Sequence, residues 1–208
     1  GIPYRPDQEK NHIDLIGWGV REAYEKILVP ANMADVKIYT DAGFYIWNGE
    51  ALLEAATAQP DGFCLPYELK ARDQHRLLDR AEGSGIIGAE KIIYGYIPLM
   101  HTANCVFRTT EGCDKNGEDK ICYLIDRYRK KFPVVKNCEH CFNTIYNCVP
   151  LSLHKELSGW RRDVDFRMDL SIEKEEETAR IMNYFMNGAK GEPPFEEYTL
   201  GHEKRGAE

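Results

Sequence analysis

The sequence lacks any stretch that would cross a membrane and any excess of positive charge. Its longest apolar run is far short of the roughly 20 residues that a membrane-spanning helix requires, and no signal peptide is visible. Acidic residues number 34 and basic residues 27, so the formal net charge is −7, which excludes a global basic field that would attract nucleic acid. A local basic patch is still compatible with this charge. We therefore expect a cytoplasmic protein that has no membrane partner.

Several catalytic sequence motifs are also missing. The chain contains no Walker loop, no His-Glu-x-x-His and no Gly-x-Ser-x-Gly. These motifs would indicate a nucleotide-phosphate site, a zinc peptidase and a serine hydrolase, respectively. The residues alone therefore give no support to a serine or zinc peptidase.

Cysteine, in contrast, is abundant in this chain. There are seven in 208 residues. Most of them fall between residues 105 and 148, and the full set is Cys64, Cys105, Cys113, Cys122, Cys138, Cys141 and Cys148. An odd number without an export signal argues against a disulfide framework. In a reducing compartment, such a cluster indicates metal or redox chemistry.

The cysteine spacing is compatible with two kinds of metal centre. Four thiolates drawn from loops can hold a [4Fe-4S] cluster or a structural zinc ion, because both take soft sulfur ligands in a tetrahedral arrangement. Zinc ribbons usually carry two Cys-x2-Cys pairs, and only Cys138 and Cys141 have that spacing here. Scattered cysteines fit an iron–sulfur cluster at least as well, and unligated thiols are the third alternative. Cys64 lies in an apolar segment and is expected to be an inert core thiol.

Strands and helices are predicted to alternate along the first half of the chain. The predicted strands and helices, in order, are a helix at 11–27, a strand at 36–40, a helix at 49–56, a strand at 62–66, a helix at 69–81 and a strand at 90–96. Such alternation is typical of a parallel sheet with helices packed outside it. A complete eight-unit barrel needs about 250 residues, so this chain supplies only four or five units. We expect an α/β protein with a partial TIM-barrel-like fold, completed by missing sequence or by a partner chain.

The chain changes character between residues 105 and 150. Gly, Asn, Asp and Cys become frequent there, between short apolar runs. This composition predicts an irregular loop followed by a hairpin, whose arms at 121–125 and 132–135 flank a charged turn at 126–131.

The rest of the chain completes the predicted organisation. Beyond the hairpin we expect a strand at 163–170 and a helix at 173–187. We infer one domain over residues 1–190 with a Cys-rich insert at 101–150. Residues 191–208 form a polar segment that we expect to be a peripheral tail.

Four other residues are weaker candidates for a functional site. His101 lies just past a predicted strand end, where barrel enzymes place their chemistry, but a structural histidine is the more common outcome. Asp126 and Arg127 in the hairpin turn could hold an anionic substrate or could pair with each other. Glu68 follows another predicted strand and suits either a general base or the first turn of a helix, of which the second is more common.

A series of distinctive motifs extends over most of residues 36–208. Residues 94–100 read YGYIPLM and are followed by Cys105, and residues 109–113 read TTEGC. The other motifs are at 41–48, 65–69, Asp126-Arg127, 132–134, Cys138, 145–147, 150–151, 167–169 and 201–206. Together they resemble peptidase family U32, the collagenase-like proteins.

This resemblance implies a TIM-barrel-like fold of which the chain is the C-terminal half. Members of the family are described as collagenase-like peptidases, and as iron–sulfur proteins in RNA hydroxylation or quinone-ring hydroxylation. In the iron–sulfur members four cysteines hold a [4Fe-4S] cluster, and the matching positions here are Cys105, Cys113, Cys122 and Cys138. Two departures are that Cys141 offers a competing fourth ligand and that Cys148 stands where many relatives have serine.

The resemblance and the cysteines together predict part of an iron–sulfur-dependent enzyme that acts in RNA hydroxylation. Its cofactor would be a [4Fe-4S] cluster, with zinc as the alternative. Its partners would be the rest of the barrel or a partner chain, and an RNA or protein substrate. Two alternatives are a collagenase-like peptidase and a non-catalytic fragment with a structural zinc site. A peptidase needs a nucleophile with a base, or an activated water, and the sequence shows no such arrangement.

Overall fold

The computed structural model describes residues 37–86, 88–110, 112, 121–138, 141–161 and 163–206. The helix predicted at 11–27 and the candidate ligand Cys113 lie outside these residues. The described chain divides into two compact units. The first takes the chain up to Ile92 together with residues 159–167 and 201–206, and the second takes residues 93–158 and 168–200.

The first unit contains a parallel sheet with helices between its strands. Its elements in chain order are β1 (Tyr39–Thr40), α1 (Gly49–Ala56), β2 (Gly62–Cys64), α2 (Ala71–Ala81) and the first part of β3 (Gly88–Gly95). β1 pairs with β2, and β2 pairs with β3, both in parallel. The predicted alternation of parallel strands with helices is confirmed in this unit.

Local sequence explains where α1 begins and what it packs against. The Asn48 side chain accepts a hydrogen bond of 2.8 Å from the Ala51 N–H, which caps the helix. Upstream, Asp41 accepts from the N–H of Ala42 and opens a short 3-10 helix. The helices and the sheet share one apolar core, formed by Ile46, Leu52, Ala55, Phe63, Leu65, Leu77, Leu78, Ala81, Ile86, Ala89 and Val164. Removal of this apolar surface from water is the main stabilisation of the unit.

The second unit is built around an antiparallel sheet. Its elements are β4 (Pro98–Thr102), α3 (Val106–Thr110), β5 (Ile121–Ile125), β6 (Lys131–Asn137) and β7 (Phe142–Tyr146). The strands are ordered β4-β7-β6-β5, and all their pairings are antiparallel. The hairpin predicted at 121–125 and 132–135 is confirmed as β5 and β6.

Three further elements follow the hairpin. They are β8 (Leu151–Ser152), β9 (Asp165–Asp169) and α4 (Glu175–Met186). β8 pairs antiparallel with the last residues of β3, which lie in the second unit. α4 begins with three glutamates, as its sequence predicts, and negative charge there stabilises the helix N-terminus.

The chain is a mixed α/β protein, and its described residues form no closed barrel. Residues 191–206, expected to be a peripheral tail, include positions that pack within the two units. In the second unit Thr199 bridges to Leu151, and in the first unit Glu203 is 6% exposed. The polar composition of this segment did not predict its packing, because a glutamate is expected at the surface unless it has a buried partner. No helix in the described part of the chain has both the length and the apolar character to cross a membrane.

Candidate metal centre

Three cysteines lie beyond one end of the antiparallel sheet. Thr102, the last residue of β4, pairs with Asn143, the second residue of β7. Cys105 follows β4 closely, and Cys138 and Cys141 bound the turn that joins β6 to β7. All three cysteines therefore lie past the same end of the sheet.

Cys122 lies in β5, near the same end. Ile121 pairs with Val135, and Cys122 pairs with Val134, so β5 begins beside the last residues of β6. Side chains in register share a face of the sheet, and alternate residues of a strand do so too, which puts Cys122 on the face of Lys136. We define the cysteine end as this end of the sheet with Cys105, Cys122, Cys138 and Cys141.

The described thiols are accessible to different degrees. Cys105, Cys122 and Cys138 are half-buried, and Cys141 is exposed. Cys141 has a left-handed backbone with φ of 53°, and its Sγ lies 3.9 Å from the carbonyl oxygen of Cys138. Within the described ranges, no three His, Cys, Asp or Glu side chains are close enough together to hold a metal ion. The thiols are soft-metal donors by type, but in the described structure they are not gathered around one point.

A row of buried polar residues crosses the sheet beside the cysteine end. Lys136 of β6 pairs with Asn143 of β7, which in turn pairs with Thr102 of β4. Lys136 is 4% exposed, and Asn143 is fully buried. The Asn143 Nδ2 donates to the carbonyl oxygen of Asn104 at 3.3 Å, while its Oδ1 is buried without a partner among the described residues. The row thus brings a buried cation and a buried amide to the loop that follows β4.

Asp126 forms the turn of the hairpin. Its Oδ1 accepts hydrogen bonds of 2.8 Å from the N–H groups of Tyr128 and Lys130. The contact of Arg127 is with a neighbouring ring rather than with Asp126. Its guanidinium lies 4.7 Å from the centre of the Tyr128 ring. The Asp126 carboxylate is therefore a turn-forming group, and Arg127 is exposed at the tip.

The sheet face opposite Cys122 exposes large apolar side chains. Ile121, Tyr123 and Ile125 alternate along β5 and are 44%, 57% and 63% exposed. At the hairpin tip Tyr128 is 71% exposed. Three cations in and next to the hairpin turn are exposed as well, namely Arg127, Arg129 and Lys131. We name the set Ile121, Tyr123, Ile125, Arg127, Tyr128, Arg129 and Lys131 the hairpin surface.

His101 lies within β4 rather than beyond the end of a parallel strand. Its Nδ1 is 3.0 Å from the hydroxyl oxygen of Thr144, its partner in register on β7. Its ring also meets the Phe142 ring edge-on, with centroids 5.8 Å apart. The structure gives this exposed histidine a defined orientation on the antiparallel sheet.

Glu68 lies in the first unit, in the turn between β2 and α2, and is half-buried. Burial, with the nearby charge of Glu68, raises the pKa of Tyr67 to about 12. In the same unit Arg167 bridges Asp41 at 2.8 Å and Glu90 at 3.7 Å. Glu68 and the cysteine end therefore belong to different units.

A buried ion pair in the first unit escaped the sequence analysis. The Lys91 Nζ lies 2.8 Å from Glu203 Oε2, and the two side chains are 3% and 6% exposed. Lys91 also donates to Gln74 at 2.7 Å and lies 4.0 Å from the centre of the Trp160 ring. Burial lowers the pKa of Lys91, and the negative charge of Glu203 opposes that shift. The signal that could have revealed this pair in the sequence was the lysine itself. It stands in an apolar strand, two residues after the buried Ala89.

No family model, no curated protein and no solved structure matches this chain. The resemblance to peptidase family U32 therefore rests on the motifs themselves. Within the described residues these motifs include the end of β3, the start of β4, part of β6 with the hairpin turn, and Glu203 of the buried pair.

Proposed function

We propose that the chain is the C-terminal part of a U32-type, iron–sulfur-dependent enzyme that acts in RNA hydroxylation. The observation that carries the proposal is the position of Cys105, Cys122, Cys138 and Cys141 at one end of a single sheet. Four thiols are more than an inert fold needs at one place. Unligated neighbouring thiolates repel one another and oxidise, whereas metal ions stabilise them.

The ligand set that we propose is Cys105, Cys113, Cys122 and Cys138, with Cys141 as the reserve ligand. A bound [4Fe-4S] cluster would supply one-electron transfer at this end of the sheet. A structural zinc ion is the alternative, because the same four thiolates would satisfy its coordination. The sulfur donors would hold either metal, and the polar row beside them would orient the loop after β4.

The hairpin surface supports RNA as the substrate. Single-stranded RNA is bound by aromatic side chains that stack on bases and by cations that contact phosphates. Tyr123 and Tyr128 are exposed aromatic rings, and Arg127, Arg129 and Lys131 are exposed cations beside them. This local basic patch exists in spite of the net charge of −7.

The parallel unit supports a larger barrel. β1, β2 and β3 alternate with α1 and α2 as strands and helices do in a (β/α) barrel. We propose that further strands, from missing sequence or a partner chain, continue this sheet. Such a completed barrel would be the other protein partner of the chain.

The structure contains a serine–histidine contact, but this contact does not favour the peptidase alternative. The Ser152 Oγ lies 2.9 Å from His154 Nδ1, which is the spacing of a nucleophile and its base. Ser152 is fully buried, however, and His154 is 8% exposed among the rings of Tyr184 and Tyr198. A peptide carbonyl has no access to such a hydroxyl group.

The function is tested in cells that lack the full-length protein. Total RNA from these cells is digested to nucleosides and analysed by mass spectrometry, with and without complementation by the parent or by the Cys138→Ala variant. We expect a nucleoside heavier by one oxygen atom to return with the parent and to stay absent with Cys138→Ala. A nucleoside profile that is identical in all strains, together with cleavage of gelatin by the purified parent, would instead establish the peptidase.

A further inference from the structure

The strand β5 forms one edge of the antiparallel sheet. In the order β4-β7-β6-β5 it is the last strand, and β6 is the only described strand that pairs with it. An edge strand presents a row of unpaired N–H and C=O groups along its outer side, and such a row is a template for pairing with another chain. The outer side of β5 is therefore a candidate interaction surface.

The hydrogen bonds of the hairpin show which residues of β5 turn their backbone groups outward. The Asp126 N–H donates to the carbonyl oxygen of Lys130 at 3.1 Å, so these two residues form a hydrogen-bonded pair. Such pairs alternate with non-hydrogen-bonded pairs in an antiparallel ladder. Tyr123 and Pro133, three positions further along, are therefore a non-hydrogen-bonded pair. Proline at position 133 fits this assignment, because it has no N–H to donate.

Tyr123 and the residues two positions away on either side direct their N–H and C=O groups to the outer side of the sheet. These residues are Ile121, Tyr123 and Ile125, and no described residue forms a hydrogen bond with their outward groups. Their side chains are exposed as well. The edge thus offers three donors and three acceptors at alternate residues.

β5 also lacks the devices that protect sheet edges. Proline, charged residues and β-bulges normally discourage edge-to-edge pairing. The opposite edge strand, β4, begins with Pro98 and has an irregular register between Pro98 and Met100. β5 contains no proline and no charged residue, and its register with β6 is continuous. Of the two edges, β5 is the one suited to pairing.

A second copy of β5 satisfies this edge in one register. If a two-fold axis passes beside Tyr123, this residue lies opposite Tyr123 of the partner subunit, and Ile121 lies opposite Ile125 of the partner subunit. Hydrogen-bonded pairs of an antiparallel ladder exchange two bonds each, so all three outward donors of each strand find acceptors. A shift by two residues would leave Ile121 or Ile125 without a partner in β5. Opposite side chains also share a face, so that tyrosine and isoleucine pairs stabilise the contact.

Charge favours the same antiparallel arrangement. The hairpin tip that adjoins β5 carries the exposed cations Arg127 and Arg129. Parallel pairing of two β5 strands would bring the two basic tips side by side, where like charges repel. Antiparallel pairing places the tips at opposite ends of the joined strands. The arrangement that satisfies the backbone therefore also separates the charges.

We propose that β5 pairs edge to edge with β5 of a second copy of the chain, so that two four-stranded sheets join into one continuous sheet. The inference does not rest on the proposed function, because the pairing uses only the backbone and the apolar side chains of β5. A contact of one five-residue strand is small beside the about 1,600 Å² of a standard interface. The dimer is therefore weak and forms as the concentration rises.

The experiment measures the mass of the protein by sedimentation equilibrium from micromolar to millimolar concentration. Tyr123→Pro removes the central outward N–H of the edge and leaves the hydrogen bonds between β5 and β6 in place. Leu99→Lys, at an exposed position of the opposite edge strand, is the control. We expect the parent and Leu99→Lys to approach twice the monomer mass, and Tyr123→Pro to stay monomeric at every concentration.

Amide hydrogen exchange, followed by nuclear magnetic resonance, tests the register. We expect exchange at Ile121, Tyr123 and Ile125 of the parent to slow as the concentration rises, while exchange at Leu124, which is bound to β6, stays the same. A parent that is monomeric at every concentration would overturn the proposal. Fast exchange at the three amides would then show a free edge, and slow exchange would show an edge covered by another part of the chain.

A second variant covers the case in which Tyr123→Pro does not fold. Tyr123→Lys keeps the backbone N–H but sets like charges opposite each other across the two-fold axis. We expect it to lose the dimer, whereas Leu99→Lys adds the same charge to β4 and keeps it. Dimerisation of folded Tyr123→Lys to the same extent as the parent, or loss of the dimer in Leu99→Lys alone, would place the contact elsewhere and contradict the proposal.

Discussion

Buried charge is energetically costly at single residues in the described part of this chain. In the first unit, the Lys91 ammonium is compensated by Glu203, Gln74 and the Trp160 ring. Both charges depend on each other, since an unpaired charge in the interior is strongly destabilising. This pair also holds the segment 201–206 in place. The backbone of the segment is bound as well, since the Glu203 carbonyl oxygen accepts a hydrogen bond from the N–H of Ala71 at the start of α2.

Removal of one partner of the buried pair should therefore be costly. We expect Lys91→Met to lower the free energy of unfolding by about 3–5 kcal/mol, because it leaves the Glu203 carboxylate buried and unpaired. Lys130→Met is the matched control, since it breaks an exposed pair with Glu197 and should change stability by about 1 kcal/mol or less. Urea denaturation followed by circular dichroism measures both. Equal effects of the two substitutions would contradict the account.

His154 predicts how the stability of the second unit depends on pH. Burial lowers the pKa of His154 below its ordinary value of 6.5, and the positive charge of Lys155 acts in the same direction. The unfolded chain therefore binds a proton more readily, and stability falls as the pH drops from 6.5 through the lowered pKa. We expect His154→Gln to flatten this part of the stability profile, whereas His101→Gln at an exposed position should not. Thermal denaturation across this pH range measures the difference, and parallel profiles for parent and His154→Gln would refute it.

Residue-level roles were the hardest to predict from the sequence. Asp126 was a candidate for substrate binding or for pairing with Arg127, but its carboxylate binds the backbone of its own turn. A charged residue in a turn commonly binds a substrate, pairs with a neighbouring charge or binds the backbone of the turn. Only the backbone conformation decides which of these occurs. Lys91 and Lys136 were overlooked for a related reason, since a lysine in an apolar strand shows its burial only when its partner from a distant segment is known.

Elements with strong local signals were predicted well. The arms of the hairpin carry alternating and β-branched residues around a charged turn, and the structure has strands there. Residues 42–44 form a 3-10 helix that the sequence analysis did not predict, and the Asp41 side chain binds the N–H of Ala42 at its start. The sequence predicted a parallel sheet with a hairpin in the Cys-rich insert, whereas β4 to β7 form an antiparallel sheet of their own. Local patterns do not specify which distant strands pair.

The turn of the hairpin offers a test at the level of one element. We expect Asp126→Ala to lower the free energy of unfolding by about 1 kcal/mol, since two hydrogen bonds to the backbone are lost at an exposed site. Asp126→Asn keeps an oxygen acceptor and should stay closer to the parent. Urea denaturation gives the stabilities, and amide hydrogen exchange at Tyr128 and Lys130 reports the turn itself. Unchanged exchange in Asp126→Ala would show that the side chain does not hold the turn.

The hairpin surface predicts salt-dependent binding of single-stranded RNA. We expect Arg127→Ala and Lys131→Ala each to weaken binding and to reduce the slope of log affinity against log salt by about 0.7. Tyr123→Ala should weaken binding without a change of that slope, because stacking releases no counterion. Lys190→Ala, an exposed lysine elsewhere in the second unit, is the control. Fluorescence anisotropy with a labelled oligonucleotide measures these effects, and equal affinities for all variants would exclude this surface.

At the scale of the whole molecule, the chain combines two kinds of sheet, which carry different features. The parallel unit carries the βα repeats that its sequence predicts, and the antiparallel unit carries the cysteine end and the hairpin surface. The sequence analysis located the cysteine-rich segment but not the sheet that organises it. Strand register, which sequence spacing does not contain, places Cys105, Cys122 and Cys138 toward the same end of the antiparallel sheet, although the described thiols are not gathered around one point.

The most direct test of the account is iron binding by the purified protein. After anaerobic reconstitution with iron and sulfide, we expect uptake approaching about four iron atoms per chain and a visible charge-transfer band. Cys105→Ala and Cys138→Ala should lose most of this iron, and Cys148→Ala, which alters a half-buried thiol outside the cysteine end, should keep it. Uptake of less than about one iron per chain by the parent, or equal uptake by all three variants, would contradict the iron–sulfur centre.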